Sequence, residues 1–281
     1  MWAGARSSWR AQRKRIIRGS ALLLLVLGCD RSEPLELDSF ELEPVPTPVP
    51  TMSATVPAVC PADMLLVDGN YCPDVEQHCL KKESGDRCLR YAEPSVCKGK
   101  RNAMRFCIDR YEWPNKKAAI PMVLVSWPEA LEMCKDIGKR LCTVEEFNFA
   151  CEGEAMLPYT YGYERDKTKC NIDKPYRQRR IRLSKYEKCI ADPRCRDELE
   201  RLDQREPAGS RAGCVSPFGV HDLNGNVNEW VYRTEQRHPN RSGLKSGWWG
   251  PIRSRCRPTT GFHKEGDWGY EAGFRCCRDA D

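Results

Sequence analysis

The chain has 281 residues, 40% hydrophobic and 31% charged, enough apolar material for one large domain or two small ones. Its formal net charge of +6 lies wholly in residues 1–28, which carry six basic and no acidic side chains, while the remainder holds 40 of each sign. That balance excludes the broadly cationic surface a nucleic-acid binder needs to displace counterions, so no nucleic-acid partner is expected.

In chain order, basic residues from Arg6 to Arg18 precede an apolar run at 21–27, which leads to Gly28 and Cys29. The run is far short of the roughly 20 residues of a membrane-spanning helix, so residues 1–28 read as a secretion signal. Val26-Leu27-Gly28-Cys29 resembles a bacterial lipobox, whose Cys is acylated and becomes the mature N-terminus. Cys29 is therefore the expected lipidation site, and the protein an exported, membrane-anchored lipoprotein of the bacterial cell envelope. Cysteine usage agrees with export. Of 17 Cys, setting Cys29 aside leaves an even number with no zinc-type repeat of C-x-x-C pairs, which favours disulfides. Residues 29–59 form an acidic, Pro-rich tether with too little apolar surface to fold.

Residues 60–102 are a Cys-rich opening segment. Met64–Val67 reads as a strand and Asp68-Gly69-Asn70 as the turn after it. The pairing of Cys60, Cys72, Cys79, Cys88, Cys97, Cys107, Cys170, Cys189, Cys195 and Cys214 is left open by the sequence. A first helix starts at Ser126-Trp127-Pro128, buries Ala130, Leu131, Cys134 and Ile137, and ends at Gly138. A second starts at Thr143 with Glu146 three residues on, a capping box, and ends at Gly153 with Phe147, Ala150 and Cys151 inside. Residues 177–204 predict an exposed, charged helical insertion broken at Asp192-Pro193. After Pro207, short strands and long Gly-, Trp- and Arg-rich loops are expected.

Four segments in order carry a family resemblance. Phe106–Asn115 is similar to an F-x-x-D-x-x-E-V-T-N opening strand, and residues 133–153 to a G-K-R-L-P-T-E-x-E-W-E-x-A-C-x-G segment. Asp222–Trp230 resembles an N-x-x-G-N-x-x-E-W box, and Gly273–Cys276 matches a terminal G-F-R-C. Residues 103–281 thus resemble the formylglycine-generating enzyme, or sulfatase-modifying factor, family. The resemblance implies an α+β, loop-rich domain of the C-type-lectin-like class, stabilised by disulfides and calcium. It also implies the bridges Cys134–Cys276 and Cys151–Cys256. Cys142 and Cys277, additions to the family pattern, are expected to pair with each other.

For calcium the resemblance implies Asp222, Gly225, Val227 and Glu229 as one ligand set, and Asn171 and Ile172 as half of a second. A hard cation suits such carboxylate and carbonyl oxygens. The family's oxidase converts a substrate Cys to formylglycine with two copper-binding Cys, which lie between a Gly/Trp-rich strand and the next basic strand. Here that interval, Lys245–Arg255, has no Cys: aligned from Gly247 it offers Pro251, and aligned back from Cys256 it offers Ser246 and Pro251. Copper is therefore not expected. The related three-His iron type is not supported either, since the chain has four His and no preceding helical domain. No Gly-x-Ser-x-Gly elbow marks a hydrolase. No catalytic residue is assigned. Trp248, Trp249, Arg253, His263 and Trp268, with Phe262, Tyr270, Arg255, Arg257 and Arg275, fall in the region that shapes the family's substrate cleft. The reading is a recognition or assembly role toward a protein or peptide ligand, with a divergent family oxidase using an unmapped metal as the alternative.

Overall fold

The computed structural model describes residues 59–83 and 87–281. The expected signal segment, Cys29 and most of the expected tether lie outside them. Strands β1 (Met64–Tyr71), β2 (Val75–Glu76), β3 (Cys79–Lys82), β4 (Cys88–Tyr91), β5 (Val96–Cys97) and β6 (Asn102–Asp109) come first. Helix α1 (Trp127–Asp136), β7 (Arg140–Leu141) and α2 (Val144–Glu152) follow. Next come α3 (Tyr186–Ala191) and α4 (Pro193–Leu202), then β8 (Asn228–Tyr232), β9 (Ser242–Lys245), β10 (Ala272–Phe274) and β11 (Cys276–Asp279).

One sheet has the order β1-β6-β11-β7, a second β10-β8-β9, and β2-β5 and β3-β4 form two small ladders. β1 and β6 pair antiparallel over all eight residues, Met64 opposite Asp109 to Tyr71 opposite Asn102. The strand expected to stop at Val67 therefore continues through Asp68-Gly69-Asn70. No turn forms there, because the β6 edge satisfies the backbone to Tyr71. Where β6 lies between β1 and β11, Phe106–Asp109 is continuously buried, as a strand covered on both faces is. It ends at Asp109, so Tyr111, Glu112 and Trp113 of the motif at 106–115 leave the sheet.

Both predicted helices form. In α2 the capping box is reciprocal: Glu146 N donates to Thr143 Oγ1 at 3.2 Å, and Thr143 N to Glu146 Oε2 at 2.8 Å. α1 buries Trp127, Ala130, Met133 and Cys134, while Ile137 is exposed past the last turn. Met133, one turn back, fills the face assigned to Ile137. Two indoles then lock α1's start to β8: Trp127 Nε1 donates to Val231 O (2.9 Å) and Trp230 Nε1 to Val125 O (2.8 Å). One apolar cluster joins β1, β6, α2 and β8, with Val67, Phe106, Phe147, Phe149 and Val231 in it.

The insertion at 177–204 is helical only from Tyr186 onward. Its helices are tied by Cys189–Cys195, and Leu199 and Leu202 are buried. Residues 176–185 run over the surface without helix or strand. The described cysteines form eight bridges, the mark of an oxidising compartment, so this is an exported or extracellular protein. Among the described residues no helix is long and apolar enough to cross a membrane.

Candidate binding cleft and ion box

The Asp222–Glu229 segment coils tightly before entering β8. Asp222 and Asn226 adopt φ of 59° and 57°, a left-handed conformation Asp and Asn tolerate better than most residues. Gly225, at φ 84°, has no space for a side chain: a Cβ would lie 2.3 Å from the Asn171 carbonyl oxygen. The close approach joins the two expected ligand sets in one network. Asn226 N donates to Asn171 O (2.9 Å), and Asn171 Nδ2 to Asn226 Oδ1 (2.9 Å). Asn226 Nδ2 donates in turn to Glu112 Oε2 (2.7 Å), and Val227 N to Glu112 Oε1 (3.2 Å). Ile172 is buried against Gly225.

Much of the box is already hydrogen-bonded. Arg275 Nε and Nη2 donate to the two oxygens of Glu229 at 2.6 and 2.8 Å. Gly225 O accepts from Ser246 Oγ (2.9 Å), and Asp222 Oδ2 from Gly209 N (2.7 Å). Burial raises Glu229, with Arg275 opposing, and raises Glu112, with repulsion from Asp222 and Glu229 adding to it. Burial also pushes Asp222 up to about 6. Three carboxylates thus share one buried guanidinium. Asn171 Oδ1 is buried without a hydrogen-bond partner. These oxygens are of the type a hard cation takes, yet among the described residues no group of three or more His, Cys, Asp or Glu converges to hold a metal.

All sixteen described cysteines are bonded. Cys134–Cys276, Cys142–Cys277 and Cys151–Cys256 span 142, 135 and 105 residues. The others are Cys60–Cys107, Cys72–Cys97, Cys79–Cys88, Cys170–Cys214 and Cys189–Cys195.

A concavity of about 480 Å³ lies beside this region. Gly247, Trp248, Pro251, Ile252, Arg253 and Arg255 frame it from one loop, Phe262 and His263 from another, and Asn228, Leu244 and Glu271 from the strands and their approach. Trp248 meets Tyr176, Trp249 and Tyr270 edge-on at 6.4, 5.4 and 6.0 Å. The Arg255 guanidinium lies over the Tyr91 ring at 5.7 Å and donates to its hydroxyl, while its Nε is buried without a partner. Glu271 Oε2 is likewise buried and unpartnered. Desolvation raises this carboxyl, and Arg179 opposes the rise. Burial lowers His263, with Asp267 opposing.

Residues 81–280 match the profile of the sulfatase-modifying factor enzyme 1-like domain. The chain belongs to this family. No curated protein sequence matches it. The solved structure of CarF is 15% identical, with a TM-score of 0.52, covering 79% of this chain and 99% of its own. PvdO from Pseudomonas aeruginosa is 17% identical with a TM-score of 0.46, covering 80% and 98%. Treponema denticola variable protein 1 is 12% identical with a TM-score of 0.45, covering 76% and 99%. The likeness to CarF supports the shared fold, and the family's C-type-lectin-like class is the one this domain adopts.

In this family member Trp248, Arg253 and His263 line the concavity. Trp249 does not: it is fully buried, a core side chain behind Trp248. Trp268 lies outside the lining, packed edge-on against Tyr186 at 5.7 Å. Arg257 and Arg275 are structural, each forked onto a buried Glu. Sequence reasoning missed Glu112 on the Asn226 network, Glu271 and Arg87 in the cleft lining, and Lys245, buried nearby against Asn148 and Arg257. Of the four, only Glu112 carried a signal, its place in the motif at 106–115.

Proposed function

We propose that this family member is an exported binding protein, anchored through Cys29, whose cleft recognises a protein or peptide ligand without copper–thiolate oxidation. One observation carries the reading: every described Cys is consumed in a bridge, and the Lys245–Arg255 interval offers Ser246 and Pro251 where the resemblance puts soft thiolate ligands. What remains in the cleft is aromatic and guanidinium surface with isolated polar groups, the composition of a recognition site. Metal analysis of the full chain, purified with its disulfides formed, tests it. The expected result is neither copper nor iron at stoichiometric level; either metal at one per chain, with turnover of a Cys-containing peptide, would overturn the reading.

We further propose calcium as a structural ion at the Asn171 and Asp222–Glu229 network. The excess of buried carboxylates over Arg275 and the unpartnered Asn171 Oδ1 support it. Chelator is expected to lower the unfolding midpoint by several degrees and added calcium to restore it, as mass action on a folded-state site requires. An unchanged midpoint would leave Arg275 as the box's sufficient cation.

A further inference from the structure

We propose that the cleft and the basic strap at 176–185 together form a docking site for an acidic peptide segment of a partner protein, whose apolar side chain enters the concavity. This rests on reading the cleft as a binding site and names its ligand class. Ten consecutive residues of the strap include Arg177, Arg179, Arg180, Arg182 and Lys185 and no acid, and they are largely exposed. None of the five forms an ion pair among the described residues. Other arginines of the same domain differ: Arg165 is held by Asp173, Arg211 by Glu206 and Arg241 by Glu265. A domain that ion-pairs most of its guanidinium groups leaves this cluster of positive charge without a direct ion pair, and such a cluster favours an anionic partner.

The strap is fixed as well as charged. Arg180 N donates to Glu198 Oε1 (2.7 Å), Arg201 Nη2 to Gln178 O (2.7 Å) and Arg177 Nη1 to Arg201 O (2.6 Å), all onto α4. Binding there needs little ordering of the segment. It also adjoins the cleft: Tyr176, 57% exposed, touches Trp248 on the cleft wall, and Arg179 acts electrostatically on Glu271. Phe262, also in the lining, is 72% exposed, an apolar face open to a ligand. An extended acidic peptide satisfies both halves, its carboxylates on the strap and one aromatic or aliphatic side chain between Trp248 and Phe262. A flat anionic bilayer meets the strap alone and leaves the concavity unused.

The test uses the full chain and a fluorescent short peptide of Glu and Asp with one central Phe, read by anisotropy. Two controls accompany it, the same peptide with Lys for every acid and with Ala for Phe. The acidic Phe peptide is expected to bind, and the Lys peptide not at all. Affinity is expected to fall about tenfold with Ala for Phe, about tenfold with Arg179→Glu plus Arg182→Glu, and about tenfold with Phe262→Ala. All three protein positions are on the surface, and an unchanged unfolding midpoint verifies folding. Equal affinity for both charge types, or indifference to either the strap or the Phe262 variant, overturns the proposal. So does capture by phosphatidylglycerol vesicles with no peptide binding. Metal analysis is a separate readout, so the discovery of oxidase chemistry and the failure of the peptide site are told apart.

Discussion

Lys245 is 1% exposed, and its ammonium is held by Asn148 Oδ1 (2.6 Å) and Arg257 O (2.8 Å) at the end of β9. Desolvation pushes the amine down to about 7, against roughly 10.4 for a free lysine. Between those values the unfolded chain holds the proton more tightly, so this group makes stability rise with pH across that window. The cost of burying the charge is fully present below it. Lys245→Met is expected to flatten the rise in unfolding midpoint between about pH 7 and 9, measured by thermal melts of parent and variant in parallel. A parallel shift with the same slope would show that Lys245 does not titrate there. No sequence signal pointed to this residue, or to Glu271. In a chain 31% charged, one Lys or Glu looks like any other until distant segments close over it. The Asp222–Glu229 box was legible because its Gly and Asn residues mark a backbone path few others can follow.

Arg257 joins three segments that are far apart in the chain. It forks onto Glu152 of α2, Nε at 2.6 Å, and donates to the carbonyls of Cys72 and Pro73 in the Cys-rich opening segment. Glu152's side chain is fully buried. Removing its partner strands a carboxylate without solvent, a loss of about 3–5 kcal/mol. Arg257→Ala should lose that much in urea unfolding, and adding Glu152→Gln should recover part of it. An additive double variant would mean the two do not interact. At this scale the helices were readable from their caps and periodicity. The errors fell where a neighbour decides the outcome: β1 runs past Gly69 because β6 continues opposite, and residues 176–185 stay out of helix although they carry helix-compatible side chains. Trp249 and Trp268 could not be separated from Trp248 because aromatic residues serve cores and clefts alike.

Across the molecule, the G-F-R-C segment is where the chain changes sheets. β10 ends at Phe274 beside β8, β11 begins at Cys276 beside β6, and Arg275 between them is held by Glu229, the Asp109 carbonyl and the His221 carbonyl. The adjacent Cys276 and Cys277 then fasten this switch to α1 and to the residue after β7. Replacing Cys134 and Cys276 together by Ser opens a loop of 142 residues, worth about 4–5 kcal/mol in the chain-entropy account. The expected readout is a loss of that order in denaturant unfolding with the far-UV spectrum retained. No change in midpoint would mean Cys142–Cys277 alone carries the constraint. The family pattern made this architecture legible, since four motifs in order fix the same switch and box. The cleft's contents were less so, because they come from loops with no shared periodicity.

The spacing of these crosslinks has a consequence for biogenesis. Each long bridge waits for Cys256, Cys276 or Cys277, all within the last 26 residues of the chain. The N-terminal thiols instead find partners nearby: 9, 25 and 47 residues separate Cys79–Cys88, Cys72–Cys97 and Cys60–Cys107. A chain emerging N-terminus first can seal its leading third while the rest is still in transit. Cys134, Cys142 and Cys151 must meanwhile stay reduced until Cys276, Cys277 and Cys256 have followed them out, which makes the oxidising machinery's restraint at that stage as necessary as its activity.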